Sequence, residues 1–248
     1  MKNDELRICG LAAVQARFNR HPGSILRLYF DEAMARKIGG MCSALAAAKK
    51  IYRCVDRTEL EKVGGGVHHG GIVAVVSQPP LRTVNAVDTA LWAKRKESLV
   101  VLDQIGNAHN LGAIARTAAF FGVPRMLIGA DPASARPGDA SYRIAEGGLE
   151  FMEVCLAADL PACLRVLAHA GFDVVGAATL GGKAATTWRK PDDPRRGGPW
   201  ALVLGNEERG LAPETVAACT RLVTIPGSGQ IESLNVSAAA AILLRDLK

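Results

Sequence analysis

The chain has 248 residues, 49% hydrophobic and 22% charged, a balance that excludes a disordered or fibrous protein and suits one large globular domain or two modest ones. Its charge is uneven: residues 1–97 hold 16 Lys and Arg against 9 Asp and Glu, and residues 98–248 hold 14 against 15. No apolar run reaches membrane-spanning length, the start M-K-N-D-E-L-R lacks the apolar core of a signal peptide, and six scattered cysteines without a C-x-x-C pair argue against a zinc site and a disulfide framework. A reduced, cytoplasmic protein without a membrane partner is expected, with nucleic acid a natural partner for the basic front half.

Residues 1–80 read as a small α/β unit carrying the excess positive charge. Ile25–Phe30, Ile51–Val55 and Ile72–Val76 are strand candidates, and helical patterns run over Leu11–Asn19, Asp31–Lys49 and Arg57–Val63. Asp31 and Asp56 stand where N-caps belong. His68 and His69, followed by Gly70 and Gly71, have no Cys or carboxylate at ligand spacing. They read as a polar turn or an RNA contact in preference to a metal site. Residues 81–97 read as a linker, with the basic cluster Lys94, Arg95 and Lys96 and a Trp92 suited to packing against a domain or stacking on a base.

From Ser98 the pattern changes. Leu99–Leu102 is a continuous apolar run, as in a parallel strand buried on both faces. A polar turn follows, then a helix with Asn110 as candidate N-cap and Gly122 as its end, and then the strand Arg125–Ile128. Asp131–Gly148 reads as a loop of small residues with Arg136, Ser141, Arg143 and Glu146, and Phe151–Val154 as a short strand. Asp159 caps a helix ended by Gly171, and Val174–Ala178 is a strand. Thr186–Pro199 reads as an exposed connection. Trp200–Leu204, a helix over Pro213–Cys219, the strand Leu222–Ile225 and an Ala-rich helix complete the chain, with Ser233 a candidate cap for the last.

Three polar, glycine-bearing turns each follow an apolar strand: N-x-G-x-I-x-R-T from Asn110, G-N-E-x-x-G from Gly205, and I-P-x-x-G…S-L-N-x-S from Ile225. Strand ends of a parallel sheet face one way, so the three can share a pocket. None is a dinucleotide fingerprint or a phosphate loop, and no Ser-His-Asp set accompanies them.

In this order the turns resemble the three motifs of the SPOUT superfamily, in its TrmH/SpoU branch of RNA 2′-O-ribose methyltransferases. The likeness covers residues 98–248, and residues 1–80 resemble, more weakly, the ribosomal-protein-like substrate-binding domain often found before it. The resemblance implies an α/β parallel sheet whose C-terminal segment forms a trefoil knot, S-adenosylmethionine (AdoMet) bound in the knot, a homodimer, and structured tRNA or rRNA as substrate. Two rival readings share the fold: a knotted RNA-binding or ribosome-assembly protein without turnover, and a base methyltransferase.

The same resemblance assigns Arg116 to the ribose hydroxyl, Asn110 to orienting ribose or phosphate, and Ser233 and Asn235 to the RNA or the arginine. Glu207 would accept hydrogen bonds from the turns or hold Arg116. Gly205, Ile225, Pro226, Gly229 and Leu234 would line the cofactor. An arginine keeps its charge, with a pKa above about 12, so a cation that stabilises an alkoxide or anchors a phosphate is easier to defend than a base. One position departs from the pattern: Gly227 stands where the family has a bulkier residue, often Met.

Overall fold

A computed structural model describes residues 5–78, 80–179, 181–184 and 197–247. The front half consists of β1 (Glu5–Cys9), α1 (Leu11–Arg20), β2 (Ile25–Phe30), α2 (Glu32–Ala35), α3 (Gly39–Ala47), β3 (Ile51–Cys54), α4 (Arg57–Gly64) and β4 (Ile72–Ser77). Its sheet has the order β1-β4-β2-β3, with β4 antiparallel to both neighbours and β2 parallel to β3. Strand β1 escapes the sequence reading because only Leu6 and Ile8 mark its inner alternation within a charged start. The expected long helix over Asp31–Lys49 is two helices. Asp31 caps α2 by accepting from Met34 N at 2.9 Å, and the poor helix formers Gly39 and Gly40 begin a separate α3. Asp56 caps α4 as expected, accepting from Glu59 N at 2.8 Å.

The stretch 81–97 is not an open linker, because it contains α5 (Ala86–Lys94). Asn85 and Asp88 form a reciprocal capping box at its start. Trp92 is 2% exposed and lies under the Arg125 guanidinium, 4.6 Å from its carbon, so this indole packs and does not await a base.

The back half holds β5 (Leu99–Leu102), α6 (Ala108–Phe120), β6 (Arg125–Gly129), α7 (Asp139–Ala145), β7 (Glu153–Ala157), α8 (Leu160–His169) and β8 (Asp173–Ala177). It continues with β9 (Lys183–Ala184), β10 (Trp200–Leu204), α9 (Pro213–Ala218), β11 (Arg221–Thr224) and α10 (Val236–Leu247). Among the described residues these strands form one sheet of order β7-β6-β5-β10-β8-β11-β9, parallel throughout. β5 and β10 are neighbours in register, Leu102 beside Leu204. The chain leaves β5 toward β6 on one side and leaves β10 toward β11 on the other. Such a divergence opens a crevice beyond the carboxyl ends of the two strands.

Two expectations shift here. The supposed loop over Asp131–Gly148 contains α7, and the strand expected at Phe151–Val154 begins at Glu153, after a 3-10 turn over Gly148–Phe151. Residues 186–196 of the expected connection Thr186–Pro199 lie outside the described residues.

The two halves share a core. Leu6, Ile8, Val14, Ile25 and Ile72 belong to the same buried cluster as Leu111, Ile114, Tyr142 and Leu149. Across it Arg17 of α1, its side chain 3% exposed, donates to Glu150 at 2.9 Å and to the Tyr142 hydroxyl at 3.2 Å. Arg7 donates to Asp139 from its backbone N at 2.8 Å and its Nη1 at 2.9 Å. The basic front half is therefore clamped to α7 and the 3-10 turn of the back half. Among the described residues no helix is long and apolar enough to cross a membrane.

Candidate functional site

The crevice is built by the turns after β5, β10 and β11. Asp103, buried just past β5, accepts from Ala212 N at 2.8 Å and so ties the first turn to the loop that leaves the second. Gln104, at φ 56°, presents its carbonyl to Asn206 Nδ2 at 2.8 Å. Asn206 also closes its own turn: its backbone exchanges hydrogen bonds with Gly210 at 2.9 Å each way, and its Oδ1 accepts from Glu208 N and Arg209 N. Gly205 fits this turn because it lacks a side chain, since a Cβ would stand 2.3 Å from the Gly210 carbonyl carbon.

Asn110 is not the cap of α6. Asn107 holds that position, its Oδ1 accepting from His109 N at 2.8 Å, and the helix begins one turn earlier than its apolar period suggests. The Asn110 amide is thereby left for long-range work. Its Nδ2 donates to Glu207 Oε1 at 2.6 Å and its Oδ1 accepts from Asn235 Nδ2 at 3.2 Å. Asn235 in turn accepts from the backbone N and the Oγ of Ser237, at 2.9 and 2.6 Å, at the head of α10. Asn235, and not Ser233, is thus the side chain that serves this helix start. One amide joins all three turns.

Glu207 therefore serves Asn110. Arg116, a turn and a half further along α6, pairs with Glu146, Nη2 to Oε2 at 2.9 Å, and both side chains are more than half exposed. Ile225 packs partly against the core, whereas Pro226 through Asn235 are exposed, Ser233 among them and Leu234 at 52%. Gly229 turns at φ 81°, and a Cβ at Gly227 would meet no atom within 4 Å. Among the described residues the N–H groups of Gly227, Ser228 and Gly229 take no partner within the chain. Free backbone donors on an exposed turn suit the polar edges of a small molecule.

Lys94, Arg95, Lys96 and His68 are exposed. His69 is not: it is 6% exposed and its Nδ1 accepts from Gly71 N at 3.1 Å, a turn contact that removes it from the surface. The sequence reading assigns no role to Asp103, Asn107, Asn206 or Glu146. The first three share one signal, a short polar side chain within a few residues of a buried strand end.

Comparison with known proteins bears on what this crevice does. The profile of the SpoU rRNA Methylase family matches residues 97–245, and that of the RNA 2′-O ribose methyltransferase substrate binding family matches residues 7–81. An uncharacterized tRNA/rRNA methyltransferase of Haemophilus influenzae is 37% identical over 69% of this chain, which spans 48% of that protein's length. The 23S rRNA (guanosine-2′-O-)-methyltransferase RlmB of Acinetobacter baylyi is 32% identical over 95% of this chain and 93% of its own length. Among solved structures, the AdoMet-bound rRNA methyltransferase of Sinorhizobium meliloti has a TM-score of 0.79, covers 98% of this chain and 87% of its own, and is 21% identical, a likeness of fold.

Proposed function

The chain belongs to the SpoU rRNA methylase family, and on that premise we propose that it transfers a methyl group from AdoMet to a ribose 2′-hydroxyl of a structured RNA. The observation that carries this reading is Asn110, whose amide links Glu207 of the second turn to Asn235 of the third at the mouth of the crevice. Convergence of three separate turns on one side chain supports a built site, since a helix cap needs none of it.

Gly205, Ile225, Pro226, Gly229 and Leu234 hold the cofactor, through backbone groups and an apolar wall. When bound, AdoMet supplies an electrophilic methyl on its sulfonium. The task of the chain is to bring a 2′-hydroxyl in line with that methyl and to stabilise the oxygen as its proton passes to solvent. Arg116 does the second as a permanent cation, or anchors the neighbouring phosphate. Asn110 orients the ribose, Glu207 fixes the Asn110 amide, and Ser233 with Asn235 faces the same sugar.

The substrate is tRNA or rRNA, and 23S rRNA is the first RNA to test, because RlmB of Acinetobacter baylyi matches almost end to end. The front half, residues 1–80, recruits it, with Lys94, Arg95, Lys96 and His68 on the RNA side. The same reading includes a trefoil knot in the C-terminal segment, a cytoplasmic setting and a homodimer with sites at its interface. The large exposed side chains of Phe120 on α6 and Ile231 before α10 support a second copy.

Nucleoside mass spectrometry of RNA from cells lacking the chain tests the proposal. Loss of one 2′-O-methylated nucleoside is expected; loss of a base-methylated nucleoside in its place would overturn it.

A further inference from the structure

Glu146 follows the last residue of α7 and sits in the left-handed region, at φ 45° and ψ 42°. A residue with a Cβ is disfavoured there, and the backbone alone asks for glycine. Among the described residues the side chain at this strained position pairs with Arg116. With the two side chains 57% and 59% exposed, their pair adds little to stability. A strained backbone whose side chain serves a weak surface pair, on the residue proposed to meet the ribose, points to function.

The segment carrying Glu146 is fastened on both sides. Gly147, at φ 93°, packs on α1, where a Cβ would come 3.3 Å from Ala13 Cα. Gly148 packs on the Arg116 backbone, where a Cβ would come 2.8 Å from Arg116 Cα. Two residues later Glu150 is held by Arg17 at 2.9 Å. The carboxylate of Glu146 is thus set at a defined place relative to α6, by contacts with both halves of the chain.

We infer that Glu146 is a positioning residue for Arg116, holding the guanidinium at one Nη so that its remaining N–H donors face the RNA. The contact is an ion pair at Nη2, so it anchors the guanidinium by charge and leaves the donors of its planar fork for the RNA. Glu146 touches no substrate in this scheme and acts through Arg116. The inference rests on the proposed role of Arg116 in ribose methylation.

The test uses the full chain, AdoMet, and RNA from cells lacking the chain, with 2′-O-methyl formation, AdoMet affinity and melting temperature measured together. Glu146→Gly relieves the backbone and deletes the carboxylate, and Glu146→Asp keeps the charge. Glu146→Gly is expected to melt no lower than wild type and to bind AdoMet equally. Its kcat is expected to fall by about 2- to 5-fold, the scale of an exposed ion pair, with little change in KM for RNA, and Glu146→Asp to recover most of the loss. Wild-type turnover in Glu146→Gly, or a loss that follows a lowered melting temperature, would overturn the inference alone. Absence of ribose methylation by the wild-type chain would overturn the proposed function and this inference with it.

Discussion

Asn110 and Glu207, 97 positions apart in the chain, are joined side chain to side chain at 2.6 Å. The contact separates two roles that the sequence leaves merged, because Asn107 caps α6 and Asn110 does not. Asn110→Ala is therefore expected to keep the wild-type melting temperature and to lower kcat by about 100-fold, the scale of a misplaced substrate. Asn107→Ala is expected to do the reverse, costing about 1 kcal/mol of stability, or about 2–4 °C, with modest loss of turnover. Thermal melts beside methyl-transfer assays on the two variants check this. Equal melting losses in both would remove the distinction.

How much of this is legible in the sequence depends on where the information sits. Leu99–Leu102, Trp200–Leu204 and the glycine turns after them can be read directly, because a run buried on both faces and a turn without Cβ atoms each leave a local mark. The α6 cap is misread because Asn107 and Asn110 are the same residue type in one polar turn, and only the position of the first helical turn separates them. The partner of Arg116 leaves no mark, since Glu146 is one of several charged residues in a stretch that reads as loop. The helix within 81–97 goes unseen for another reason. A nine-residue helix such as α5 is marginal alone and is stabilised by burying Trp92, a tertiary event invisible in its own residues.

The Arg17–Glu150 pair changes what can be asked of the front half. Deleting residues 1–80 would strip a shared core and leave Glu150 without its cation, so deletion would confound folding with RNA binding. The pair itself is the better target. Arg17→Ala is expected to destabilise the chain by about 3–5 kcal/mol, and Arg17→Met with Glu150→Leu to recover most of that, because burying a lone charge is what costs. The loss in Arg17→Ala should depend on pH. Burial already pushes the Glu150 carboxyl above its ordinary range despite Arg17, and removing Arg17 raises it further. A carboxyl whose folded value is raised is well tolerated below its unfolded value of 4.5 and penalised as pH rises through the folded one. Denaturant melts should show a smaller gap from wild type in mild acid than at pH about 8. A gap that widens in acid would contradict this.

Lys94, Arg95 and Lys96 stand exposed at the end of α5, ahead of β5, whose carboxyl end leads into the first crevice turn. If they contact phosphates, replacing all three with Ala should weaken RNA binding and flatten its salt dependence, the log–log slope falling by about 0.7–0.9 for each phosphate no longer neutralised. AdoMet affinity should stay the same. Filter binding across a salt series with 23S rRNA reads the slope. An unchanged slope would place the RNA on another face.

The third turn carries the sharpest test of the cofactor wall. Its glycines are not equivalent to each other or to Gly205 in the second turn. A Cβ at Gly227 meets nothing within 4 Å, Gly229 turns at φ 81°, and a Cβ at Gly205 would strike the Gly210 backbone at 2.3 Å. Gly227→Met should therefore fold as wild type and extend the apolar wall next to Ile225, tightening AdoMet binding by about 3- to 10-fold, the return from burying a few tens of Å² of apolar surface at about 25 cal/mol per Å². Gly229→Ala should cost about 1–2 kcal/mol through its left-handed backbone. Gly205→Ala should abolish AdoMet binding, because the Asn206–Gly210 turn cannot close around a methyl group. Calorimetric titration of AdoMet into the three variants ranks them. Weaker binding in Gly227→Met than in wild type would mean that the open space at this position is itself part of the pocket.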